Sequence, residues 1–171
     1  VRAHHLERVG AGVEEGDHVP HAGGCRETPV RRVRVTGEDI AAEGDDSLEW
    51  KYVPGIARPI EMAIVSGNPA EPGPYVVRYR APSGMKWAPR VYNTAREITV
   101  LKGIYWFTPG NDYNWRQMDE FKVGSVLNIE AGKAYFGWAR TAVVIEEKGE
   151  GPAVIQYVHD EEDPRNKRKP R

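Results

Sequence analysis

The chain has 171 residues, a formal net charge of −1 and a single cysteine, Cys25. That length suits one domain with its own core. The near-balanced charge gives no whole-chain reason to expect nucleic acid or a membrane surface as partner, and one cysteine excludes an internal disulfide. No apolar run reaches the length of a membrane span and no charged-then-apolar leader opens the chain, so a soluble, cytoplasmic protein is expected.

Residues 1–34 hold His4, His5, His18 and His21 and no aromatic residue. Such a stretch buries too little apolar surface to offset its ordering entropy, and a disordered arm is expected there. Residues 35–160 are expected to form the folded domain. Within it, short Val-, Ile- and Tyr-rich runs predict strands over Ile60–Val65, Tyr75–Arg80, Glu97–Leu101, Ile104–Phe107, Ser125–Ile129, Ala134–Trp138, Thr141–Glu146 and Ala153–Val158. The turn chemistry of SGNPAEPGP, APSG, TPGND, EAGK and KGEGP separates them. No long helical period is present. Many short strands with Gly/Pro punctuation predict an all-β sandwich or double-sheet jelly roll. Alternation puts Tyr75, Val77 and Tyr79 on one face of their strand. The mixed-charge end, 161–171, is expected to be a solvated tail.

Two segments carry ordered spacings. GMKWAPRVYNTAREITVLKG, from Gly84 to Gly103, sets Arg90, Tyr92 and Arg96 between its terminal glycines. GSVLNIEAGKAYFGWA, beginning at Gly124, carries Glu130, Gly132, Tyr135 and Ala139. These segments resemble the first and second cupin motifs, G-x5-H-x-H-x3-E-x6-G and G-x5-P-x-G-x2-H-x3-N. With IVSGNPAEPGPYVVRYRAPSG and GEGPAVIQYVHDEEDPR, the text over residues 48–165 is similar to the ChrR-like branch of single-domain cupins. The resemblance implies a double-stranded β-helix barrel and a homodimer. It also implies a metal site at the positions of Arg90, Tyr92, Arg96 and Tyr135, where relatives bind a divalent cation and some cleave carbon–carbon bonds with dioxygen.

The residue types at those positions oppose a cation. Guanidinium is permanently charged and has no lone pair to donate. Glu97 is one residue away from the glutamate position, and strand alternation turns it to the other face. His159 lies beyond the last predicted strand. A barrel without metal or other cofactor is therefore expected. Arg90, Tyr92, Arg96 and Tyr135 would form a ring of donors suited to a carboxylate, phosphate or enolate, with Trp87, Trp106 and Trp138 as flat apolar walls favouring an aromatic acid.

The same residues allow other readings. Each tryptophan suits ordinary core packing, and the arginines suit a buried salt bridge to Glu130, Glu146 or Glu61. Four functions stay open: a metal-independent binder of a small organic anion; an isomerase, cyclase or lyase using Tyr92, Tyr135, Arg90 and Arg96, with a tyrosine pKa lowered by arginine; a metal-dependent dioxygenase with rearranged ligands; and a non-catalytic structural dimer. Leu48, Trp50, Tyr52 and Ile56 are expected to profit from a dimer surface, and Glu130 is expected to sit in a surface turn.

Overall fold

The computed structural model describes residues 47–167 together with the backbone of Val33–Arg34. The expected disordered arm, its histidines and Cys25 lie outside the described residues, except that Val33–Arg34 forms strand β1. The remaining strands are β2 (Glu61–Ser66), β3 (Gly73–Ala81), β4 (Lys86–Tyr92), β5 (Arg96–Lys102) and β6 (Ile104–Pro109), followed by β7 (Asp119–Lys122), β8 (Ser125–Ile129), β9 (Tyr135–Ala139), β10 (Val143–Gly151) and β11 (Ile155–Tyr157). They pair into a six-stranded sheet in the order β1-β8-β5-β10-β3-β2 and a five-stranded sheet in the order β11-β4-β9-β6-β7. Every pairing is antiparallel. Consecutive strands cross repeatedly from one sheet to the other, as in a jelly roll.

Alternation builds the core. Tyr75, Val77 and Tyr79 of β3, Ile98 and Val100 of β5, Leu127 and Ile129 of β8 and Ile145 of β10 face inward from the larger sheet. Trp87, Tyr92, Tyr105, Phe107, Phe121 and Tyr135 face them from the smaller one. Gly103 makes the tight turn between β5 and β6 at φ +80°, where a β-carbon would run into the Ala142 carbonyl. No helix of the described residues is long and apolar enough to cross a membrane.

The structure adds strands at Lys86–Tyr92 and Asp119–Lys122 that the pattern did not reveal. β4 contains Pro89 and a register shift between Trp87 and Arg90. Trp87 pairs with Gly137 and Arg90 with Tyr135, so three steps along β4 match two along β9. The extra residue is a β-bulge, which breaks the two-residue period that reveals a strand. It also turns the Arg90 side chain inward together with Trp87. The start of the expected tail is folded back: Asp163 is buried and takes a two-pronged hydrogen bond from Arg165, whose Nη2 also reaches the Ile155 carbonyl.

Candidate functional site

Three strands, two of the smaller sheet and one of the larger, bring Arg90, Tyr92, Arg96 and Tyr135 into one buried cluster. β4 carries Arg90 and Tyr92, β5 opens with Arg96 and β9 opens with Tyr135. Their exposures are 3%, 7%, 4% and 1%. The Tyr92 and Tyr135 rings lie nearly parallel, centroids 6.3 Å apart. Arg96 Cζ sits 3.2 Å from the Tyr92 centroid and Arg90 Cζ 4.5 Å from that of Tyr135. Each guanidinium thus covers an aromatic face, a favourable arrangement for a partly desolvated cation.

The two arginines differ in their partners. Arg96 Nη1 donates to Glu147 Oε1 at 2.8 Å, and the Tyr75 hydroxyl donates to the same oxygen at 2.9 Å. Glu147 is itself 3% exposed. Arg90 has no carboxylate in ion-pair range among the described residues; its Nη1 donates to the nearby Ala88 carbonyl at 3.2 Å. Arg90 Nε, Arg96 Nε, the Tyr105 hydroxyl and the Tyr135 hydroxyl are buried without a hydrogen-bond partner in the protein. Buried polar atoms of this kind are rare, and strain, ordered water or a bound species accounts for them.

Glu147 corrects the expected pairing. Glu146 faces outward and receives Arg78 at 3.0 Å, Glu61 receives Arg80 at 2.6 Å, and Glu130 is exposed in its turn. The inward carboxylate is the neighbour of Glu146, on the same face as Val143 and Ile145. Glu97 points away from the interior and lies 3.7 Å from Lys148. His159 follows β11, with Nε2 3.2 Å from the Asn111 carbonyl oxygen.

The tryptophans separate. Trp87 is buried inside the barrel, edge-on to Tyr105 at 5.5 Å. Trp106 and Trp138 stand on the outer face of the small sheet, because each is an odd number of residues from an inward tyrosine, Tyr105 and Tyr135. They meet edge to face at 5.6 Å, Arg140 lies over both rings at 4.4 and 4.5 Å, and Lys86 lies over Trp138 at 4.8 Å. Neither lines the interior with Arg90.

The phenols are not activated. Burial drives the Tyr92, Tyr105 and Tyr135 pKa values above the ordinary range, and the opposing influence of Arg90 does not overcome it. Tyr75 rises for the same reason, reinforced by the Glu147 charge. The expectation of a lowered tyrosine pKa is reversed: these groups are neutral hydrogen-bond donors at physiological pH. Two glycines make room for two of them. A β-carbon at Gly137 would overlap the Tyr105 hydroxyl, and one at Gly149 would crowd that of Tyr75.

Outside the barrel, an open groove of about 430 Å³ runs over Ala95, Glu97, Asn128, Glu130, Lys148 and Glu150. Arg96 also borders it, with its side chain wholly buried, and three carboxylates against the Lys148 ammonium make it a poor seat for an anion.

No family model matches the sequence, and no curated protein matches it. Solved structures do. The polyketide cyclase RemF from Streptomyces resistomycificus is similar with a TM-score of 0.58 at 14% identity, over 70% of this chain and 85% of that one. Salicylate 1,2-dioxygenase from Pseudaminobacter salicylatoxidans is similar with a TM-score of 0.51 at 12% identity, over 61% of this chain and 32% of that one. The barrel is a cupin fold. The chain spans about a third of the dioxygenase, and identities this low establish shared architecture without shared chemistry.

Proposed function

We propose that this cupin binds a small organic anion inside its barrel without a metal ion. The observation that carries the reading is Arg90: a full positive charge, 3% exposed, with no carboxylate partner among the described residues. A buried charge is expensive unless it is paired. Unpartnered donors on Arg90, Tyr105 and Tyr135 supply the hydrogen bonds an oxyanion needs. The residues do not fit a divalent cation. Guanidiniums and neutral phenols are poor ligands, Glu147 already accepts from Arg96 and Tyr75, and no group of three His, Cys, Asp or Glu side chains converges among the described residues.

A catalytic version is supported by the likeness to a polyketide cyclase, which spans most of both chains. In it, Arg90 and the adjacent phenols stabilise an enolate during isomerisation, cyclisation or elimination. The tyrosines then act as proton donors rather than bases. A homodimer is proposed as well, on the strength of edge strand β2, where Ile64 is 49% and Val65 41% exposed. Elution as a compact monomer at micromolar concentration would count against it.

The binding reading is tested by thermal shift of chelator-treated protein against a panel of carboxylates. A ligand that binds only the folded state raises Tm with concentration. Saturable shifts from at least one carboxylate are expected, and no response at high concentration would overturn the proposal. Retention of stoichiometric iron, zinc or manganese after chelation would overturn its metal-free part.

A further inference from the structure

Three full charges lie in the interior of the barrel among the described residues: Arg90, Arg96 and Glu147. Two of them cancel. Arg96 Nη1 and Glu147 Oε1 are 2.8 Å apart, with side chains 0% and 4% exposed, and the Tyr75 hydroxyl adds a second donor to that oxygen. The residue is one positive charge, on Arg90.

We propose that the ligand is a monoanion, a monocarboxylate or a singly charged enolate, whose one charged head sits at Arg90, and that Arg96 does not contact it. This rests on the anion-binding reading above and narrows its substrate class. The donors grouped with Arg90 are the Tyr135 hydroxyl, on the ring its guanidinium covers, and the Tyr105 hydroxyl, both without partners. A single oxyanion neutralises the barrel and satisfies donors that are otherwise orphaned. A second negative charge finds no free cation in the barrel interior among the described residues. It meets Arg96 already committed to Glu147, and the Glu147 carboxylate repels it. Dicarboxylates and phosphate monoesters are therefore disfavoured by charge rather than by shape. The expected aromatic walls are also reduced to those facing inward, Trp87 with Tyr105 and Phe107 with Tyr135, which pack against one another at 5.5 and 5.4 Å.

Calorimetric titration of the full chain at fixed ionic strength separates the possibilities. Acetate and benzoate serve as monoanions; malonate, phthalate and inorganic phosphate serve as probes with higher charge. Saturable binding of a monoanion, with the matching dianion weaker by about tenfold or more, is expected. Arg90→Met should abolish binding, and Arg90→Lys should weaken it by about tenfold, keeping the charge but losing the fork. The double variant Arg96→Met/Glu147→Gln removes the neutral pair together and should bind the monoanion within about threefold of wild type. Dianions binding as well as or better than monoanions would overturn this inference while leaving anion binding intact, as would unchanged binding by Arg90→Met. If no anion binds at all, the functional proposal falls with it. The wild-type ratio decides the matter even if a variant fails to fold.

Discussion

Glu147→Gln tests the buried pair most sharply. The substitution keeps size and shape, and the amide oxygen still accepts from the Tyr75 hydroxyl, so the change is confined to the charge facing Arg96. The guanidinium and carboxylate approach to 2.8 Å in a site where both side chains are almost fully buried. At an effective dielectric of about 20, unit charges about 4 Å apart attract by about 4 kcal/mol. Removing one member of a buried pair strands the other and costs roughly 3–5 kcal/mol. In a domain of this size each kcal/mol corresponds to about 3–6 °C in Tm, so a fall of roughly 10–25 °C is expected for Glu147→Gln. Urea or thermal unfolding followed by circular dichroism measures it. Arg96→Met should recover much of the loss when combined with Glu147→Gln, giving a coupling energy of about 2–3 kcal/mol in a double-mutant cycle. A loss below about 1 kcal/mol, the range of exposed pairs, would refute the reasoning that this pair is desolvated and internally compensated.

Arg90→Met should behave in the opposite way: in anion-free buffer, its stability should equal or exceed that of wild type by about 1 kcal/mol, since an uncompensated buried charge is removed; unfolding curves in a cacodylate-free, amine-buffered solution read this directly. Alkaline stability follows from the six buried tyrosines whose pKa values are raised, Tyr75, Tyr79, Tyr92, Tyr105, Tyr135 and Tyr157, the last to about 12. Because the folded state holds these phenols neutral, their contribution is complete below about pH 10, the unfolded value, and is lost as pH rises through their folded pKa values. Ultraviolet titration near 295 nm should show them ionising together with unfolding, whereas stepwise ionisation near pH 10 with the fold intact would contradict their burial. Gly137→Ala should cost about 1–3 kcal/mol by driving a methyl into the Tyr105 hydroxyl, read as a Tm loss. Trp138→Ala, on the outer face, should leave anion affinity unchanged.

Much of the barrel was legible because its strands obey a two-residue period. β3 places Tyr75, Val77 and Tyr79 inside as alternation requires, and β8 matches its predicted bounds, Ser125–Ile129. β4 was hidden by Pro89 and by the bulge between Trp87 and Arg90, a register feature that only the partner strand β9 defines. β7 was missed because DEFK carries one buried side chain, Phe121. Within the site, the resemblance to the two cupin motifs grouped Arg90, Tyr92, Arg96 and Tyr135. It did not reveal that the two arginines have different fates, which depends on a pairing between β5 and β10 remote in sequence. Glu147 had a usable signal: in VVIEE, alternation from Val143 and Ile145 selects Glu147, not Glu146. The same parity separates Trp106 and Trp138 from the inward tyrosines. The tyrosine pKa direction was not legible, because it depends on burial overcoming the nearby arginines.

The most direct measurement is calorimetric titration of acetate or benzoate into wild-type and Arg90→Met protein, both stripped with chelator. Saturable binding by wild type without added metal, lost in Arg90→Met while its circular dichroism is unchanged, is the expected result. Binding that requires restored divalent cation, or that survives loss of the Arg90 guanidinium, would contradict a metal-free barrel organised around one uncompensated buried charge.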